Sequence, residues 1–122
     1  MTSPSLSRSI AGRVAIITGA VSGMGRATAQ LFAAEGAHVA VVDLDLAACA
    51  AVATECGPAA RPYALDVADG DAIVRTVAQI AADFGRIDIL VNNAGVSSFC
   101  ALDDPAYEGI WATALAVMLT AH

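Results

Sequence analysis

Lysine is absent from all 122 residues, so this chain carries no chemistry that needs a lysine ammonium. Its six basic residues are all arginine and face twelve acids, for a net charge of -6. A nucleic-acid backbone binder needs the opposite balance, so no nucleic-acid partner is expected. Charged residues make up 15% and aromatic residues 5%, whereas 57% are hydrophobic, which excludes a disordered chain. No apolar run reaches the roughly 18 to 20 residues of a membrane span, because Gly19, Gly23, Gly25, Arg26, Asp43 and Asp45 interrupt the runs. No membrane association is expected. The Ser-rich opening lacks the apolar stretch of about 7 to 15 residues that a secretory signal needs, so a cytoplasmic protein is expected, with residues 1–12 as a flexible leader. The three cysteines, Cys49, Cys56 and Cys100, are odd in number and have neither C-x-x-C spacing nor clustered histidine. This argues against a disulfide framework and against any metal site. Cys49 and Cys56 read as small packing residues of a helix.

What is present is an alternation. Val14–Thr18, Val39–Val42 and Ile87–Val91 are β-branched and nearly continuous, as in parallel strands buried on both faces, and a weaker strand is expected near Arg61–Leu65. Helix-length segments lie between them, at about Gly25–Glu35, Leu46–Cys56 and Asp69–Phe84. Each ends at a glycine (Gly36, Gly57, Gly85) placed for a left-handed cap. The order βαβαβαβ, with right-handed crossovers, predicts an α/β class and a Rossmann-like doubly wound parallel sheet. The last segment, about Pro105–His122, reads as a helix that is apolar nearly all round over Ile110–Ala121, so something must cover it. Four strands make only half of a doubly wound sheet. The expectation is therefore that residues 1–122 are the N-terminal part of a single dinucleotide-binding domain.

The first strand runs into Thr18-Gly19-Ala20-Val21-Ser22-Gly23-Met24-Gly25-Arg26, a glycine-rich turn that opens a helix. Gly19 permits the sharp turn, Gly23 lets backbone approach a pyrophosphate, and Gly25 lets the helix pack against the sheet. Backbone N–H groups around Ser22 and Met24, with the positive helix end behind them, would hold the phosphates. Asp43 closes the second strand, where a carboxylate can accept hydrogen bonds from the adenosine ribose hydroxyls and repel a 2'-phosphate. NAD is therefore the expected cofactor. Asp45 reads as the cap of the following helix.

At these residues the sequence resembles the short-chain dehydrogenase/reductase family, whose phosphate turn reads T-G-x-x-x-G-x-G. Asp66-Val67 matches a pair that the family places beside the adenine ring. Phe84-Gly85-Arg86-Ile87-Asp88 leads into the fourth strand, and Asn92-Asn93-Ala94-Gly95 matches the family's N-N-A-G turn. The resemblance implies that Asn93, Ala94 and Gly95 line the nicotinamide-side ribose and brace the sheet near Thr18. The position of this turn at the carboxyl end of a central strand is where ligands bind in open α/β sheets. Ser97 and Ser98, just beyond it, face the substrate region on the same reading.

The resemblance also implies hydride transfer between a nicotinamide and a small alcohol or carbonyl compound, carried out with a Ser and a Y-x-x-x-K pair. These catalytic residues are absent. Tyr63 and Tyr107 have no lysine to lower their pKa, and neither is assigned a catalytic role. In the family an Asn usually follows a Trp by seven residues in the next helix; here Met118 follows Trp111 by seven. A thioether cannot replace the donors and carbonyl of an amide. The favoured reading is the cofactor-binding half of an NAD-dependent short-chain oxidoreductase, a homodimer or homotetramer when intact, with the 122 residues inactive alone. A non-enzymatic dinucleotide-binding sensor, or an inactive truncated relative, is the alternative. A methyltransferase or flavoprotein fold is a third, opposed by the Gly19–Gly23 spacing and by Asn92–Gly95.

Overall fold

A computed structural model describes residues 7–96 and 100–122. Four strands and four helices alternate: β1 (Val14–Thr18), α1 (Gly23–Ala34), β2 (His38–Asp43), α2 (Leu46–Cys56), β3 (Ala60–Ala64), α3 (Gly70–Phe84), β4 (Ile89–Val91) and α4 (Tyr107–Leu115), the last continuing into a π-helical turn at Ala116–Thr120. The strands form one sheet in the order β3-β2-β1-β4. All three pairings are parallel. The chain therefore reverses its direction of winding between β1 and β4, and a doubly wound sheet opens its ligand crevice at such a point.

Two-sided burial explains the continuous apolar strands. Successive side chains of β1 and β2 point to opposite faces. Ile17, Val39 and Val41 pack with Ala29 of α1 and with Cys49 and Val52 of α2. Ile16, Ala40 and Val42 pack on the other face with Leu65 and with Ile80 of α3. Cys49 is wholly buried and Cys56 packs at the edge of the same cluster, so both serve as small apolar groups. Asp45 caps α2 by accepting from the N–H groups of Ala47 (2.9 Å) and Ala48 (3.3 Å). Asp69 caps α3 through the N–H of Ala72.

Some boundaries differ from the sequence reading. α1 begins at Gly23, two residues early. Gly57 has φ 103 and ψ -172, which is not the left-handed helical cap that Gly85 adopts. β4 is confined to Ile89–Val91 because Asp88 joins β1 through its side chain: Oδ2 accepts the N–H of Val14 at 2.9 Å. The N–H of Asp88 in turn donates to the carbonyl of Val14. The apolar terminal segment does form a helix, but α4 has no buried residue; Trp111 is 58% exposed and stacks on Tyr107. Among the described residues, no helix is long and apolar enough to cross a membrane.

Candidate functional site

The carboxyl ends of the four strands open onto a cleft of about 260 Å³. Its walls include Gly19, Val21, Ser22, Asp43, Asp66, Val67, Asn93, Ala94 and Gly95. Three turns named from the sequence thus meet at one place.

The phosphate turn is built by close approach of backbone. Gly19 has φ +64, and a Cβ on it would stand 2.9 Å from both the Cα of Ala94 and the Nδ2 of Asn93. A Cβ on Gly25 would run into the carbonyl oxygen of Gly19 and come within 2.5 Å of Asn93 Nδ2. Gly25 therefore lets the start of α1 close on the Gly19 carbonyl just past the end of β1, while Ala29 packs the same helix on the sheet. Gly23, with φ +54, faces open space. Ser22 precedes α1 in an extended conformation and makes no side-chain cap bond, and the first turn holds no acid. The leading N–H groups and the positive end of α1 are left for an anion.

Thr18, 7% exposed, ties this turn to Asn92-Asn93-Ala94-Gly95. Its Oγ1 accepts from the N–H groups of Asn93 (3.1 Å) and Ala94 (3.0 Å). The Asn93 side chain donates Nδ2–H to the carbonyl of Gly19 at 3.1 Å. This is the bracing of the sheet near Thr18 that the resemblance implies.

Asp43 stands at the other wall with its carboxylate fixed by backbone. Oδ1 accepts from Leu44 N at 2.7 Å and Oδ2 from Val21 N at 3.3 Å. A carboxylate offers about four lone-pair sites, so two remain for hydroxyl donors. Asp66 Oδ1 accepts from Ala68 N at 2.9 Å, which holds Asp66 and Val67 at the cleft rim. The residues present fit a nicotinamide dinucleotide: a cradle that side chains would fill, free N–H groups for phosphates, and an anchored acid for a ribose. Such a cofactor supplies the hydride-transfer chemistry, and Ser22, Asp43 and Asn93 are among the residues that would hold it.

Other assignments fall differently. Gly23, Met24 and Gly25 are the first residues of α1, directly after Ser22 of the cleft wall, and the Met24 side chain is 79% exposed. Val42, Leu44, Leu65, Val96 and Val117 line the cleft without having been singled out from the sequence. All five adjoin residues that were, Val117 beside Met118, so adjacency was an available signal; Val117 reaches the cleft from the π-helical turn. Met118, in that same turn, brings its Cε to 3.8 Å from the place of a Cβ on Gly95. Ser97 and Ser98 lie outside the described residues. Tyr63 is remote from the cleft: its hydroxyl donates to Asp83 Oδ2 at 2.7 Å. Burial first, and that hydrogen bond second, push its pKa up, the wrong direction for a proton-transfer group. Among the described residues, no three His, Cys, Asp or Glu side chains stand together as a metal would require.

Known proteins resemble this chain over most of its length. A family profile described as short chain dehydrogenase matches residues 13–122. The D-threitol dehydrogenase of Mycolicibacterium smegmatis is 41% identical over 112 residues, covering 89% of this chain and 43% of that protein. The sorbitol dehydrogenase of Cereibacter sphaeroides is 51% identical over 85 residues, covering 70% of this chain and 33% of that one. Among solved structures, the 3-ketoacyl-(acyl-carrier-protein) reductase of Brucella melitensis complexed with NADH superposes with a TM-score of 0.86 at 36% identity, over 93% of this chain and 46% of that one. A metagenomic short-chain oxidoreductase in complex with NADP superposes with a TM-score of 0.83 at 37% identity, over 93% of this chain and 52% of that one. The chain thus spans between a third and about half of the length of these relatives. With the phosphate turn, the N-N-A-G turn and the sheet order all in place, the chain belongs to the short-chain dehydrogenase family.

Proposed function

We propose that this chain forms the cofactor-binding part of an oxidoreductase that transfers hydride between NAD(H) and a small alcohol or carbonyl compound. The observation that carries the choice of NAD is Asp43, whose carboxylate is anchored by the N–H groups of Val21 and Leu44 at the wall of the cleft. Held there, it accepts ribose hydroxyls and meets a 2'-phosphate with like charge. Like-charge juxtaposition of this kind discriminates on the order of tenfold or more. Relatives named as dehydrogenases of threitol, sorbitol and galactitol support a polyol-type alcohol as the substrate class. The reading includes a cytoplasmic homodimer or homotetramer, supported by the apolar surface of α4 that the described residues leave uncovered.

The test is titration of NADH and NADPH, followed by nicotinamide fluorescence, on the whole protein and on its Asp43→Ala variant. NADH should bind more tightly to the unmutated protein, and the substitution should bring the two dissociation constants together. Equal or tighter binding of NADPH before substitution would overturn the reading.

A further inference from the structure

Arg26 is the one basic residue of α1, and it does not face solvent freely. Its Nε donates to Glu55 Oε2 at 3.0 Å and its Nη2 to Glu55 Oε1 at 2.6 Å, the two-pronged geometry that suits a guanidinium. Gln30, one turn further along α1, donates Nε2–H to the same Oε2 at 2.8 Å. Neither charge suits its own helix. Arg26 lies in the first turns of α1, where the helix dipole disfavours a cation, and Glu55 lies in the last turn of α2, where it disfavours an anion. Pairing across the two helices relieves both. The bonds from Arg26 hold the Glu55 carboxyl below its ordinary range, so the carboxylate stays charged at neutral pH.

Arg26 is also close to the cleft in the chain. Its N–H donates to the carbonyl of Ser22, and Ser22 lines the cleft beside Val21, whose own N–H holds Asp43. A released guanidinium on that turn would be a ready partner for a phosphate. We infer that Glu55 determines cofactor specificity: by holding Arg26 across the α1–α2 surface it withholds that arginine from the 2'-phosphate of NADP(H). Discrimination then has two parts, repulsion by Asp43 and the withheld cation. The inference rests on the reading that the cleft takes NAD(H) in preference to NADP(H).

Both side chains are partly exposed, 47% for Arg26 and 38% for Glu55, and exposed ion pairs are weak. Release is therefore expected to change the ratio of dissociation constants about two- to fivefold. NADH and NADPH are titrated against the whole protein and its Glu55→Ala, Arg26→Ala and doubly substituted forms. Glu55→Ala should tighten NADPH relative to NADH by that factor. Arg26→Ala should leave the ratio unchanged, and the double substitution should cancel the gain. Glu55→Gln, which keeps the side-chain volume, is read in the same way if Glu55→Ala fails to fold. Equal weakening of both cofactors would reduce Glu55 to packing between helices and overturn the inference. A gain that survives loss of Arg26 would overturn it too, as an effect of bulk charge. The ratio in the unmutated protein tests the parent reading alone, whereas its change on substitution tests the latch whichever cofactor is preferred.

Discussion

Replacing Thr18 by valine tests whether one hydroxyl holds the two sides of the cleft together. The substitution nearly preserves shape but removes the oxygen that accepts from Asn93 N and Ala94 N. The two donors are not equally dependent on it. Asn93 N–H also reaches the carbonyl of Val91 at 3.1 Å, whereas Ala94 N–H has no second acceptor among the described residues. Stranding the Ala94 N–H, whose lost acceptor belongs to the 7% exposed Thr18, costs roughly 1–3 kcal/mol. Thr18→Ser keeps the oxygen and loses one methyl, at about 0.8 kcal/mol. For a domain of the length of these relatives 1 kcal/mol moves the melting midpoint by about 2–4 °C, so Thr18→Val should lower it by about 2–12 °C and Thr18→Ser by about 2–3 °C. Thermal melts followed by far-ultraviolet circular dichroism give the order, and NADH titration should show a looser complex for Thr18→Val. A valine variant as stable as the parent, or more stable than the serine variant, would mean that Thr18 does not hold the N-N-A-G turn.

Two further outcomes are expected. Gly23→Ala meets no neighbour but must adopt a positive φ, which costs about 1–2 kcal/mol, while Gly25→Ala drives a methyl into the Gly19 carbonyl and should lose more stability and all NADH binding; equal losses in chemical denaturation would contradict this contrast. Asp88 is held below its ordinary value of 3.8, chiefly by its hydrogen bonds from Arg86 and then by that from Val14 N. Its contribution is full above pH 3.8 and is lost as the pH falls through the folded-state value. The stability gap between the parent and Asp88→Asn should therefore be constant near neutrality and close below pH 3.8, and a gap independent of pH would exclude the mechanism.

Much of this was legible in the residues because local chemistry carried it. The β-branched run Val14–Thr18 and the Asp45 cap of α2 depend on near neighbours, and both fall where the sequence places them. The same holds for the placing of Asp43 beside the glycine turn, which the N–H of Val21 joins to its carboxylate. What escaped reading was set by partners far along the chain. Asp88 shortens β4 only because Val14 N lies opposite it, and the tight seat of Gly25 involves Asn93 as well as the nearby Gly19 carbonyl. Val117 enters the cleft through a π-helical turn, which no apolar periodicity distinguishes from an ordinary helix.

The junction of Gly19 with Asn93 and Ala94 also bears on how the protein matures. Together with Thr18, which joins them, these partners are 74 to 76 residues apart in sequence. During synthesis, then, the phosphate turn and its helix emerge long before the turn that closes on them. Until Gly95 has emerged and β4 has docked on β1, the cradle lacks a wall, and a dinucleotide gains little by binding. A ligand stabilises only the state that it binds. On the proposed reading, a dinucleotide would therefore act as a late clamp on an assembled sheet and not as a template around which the first strands gather.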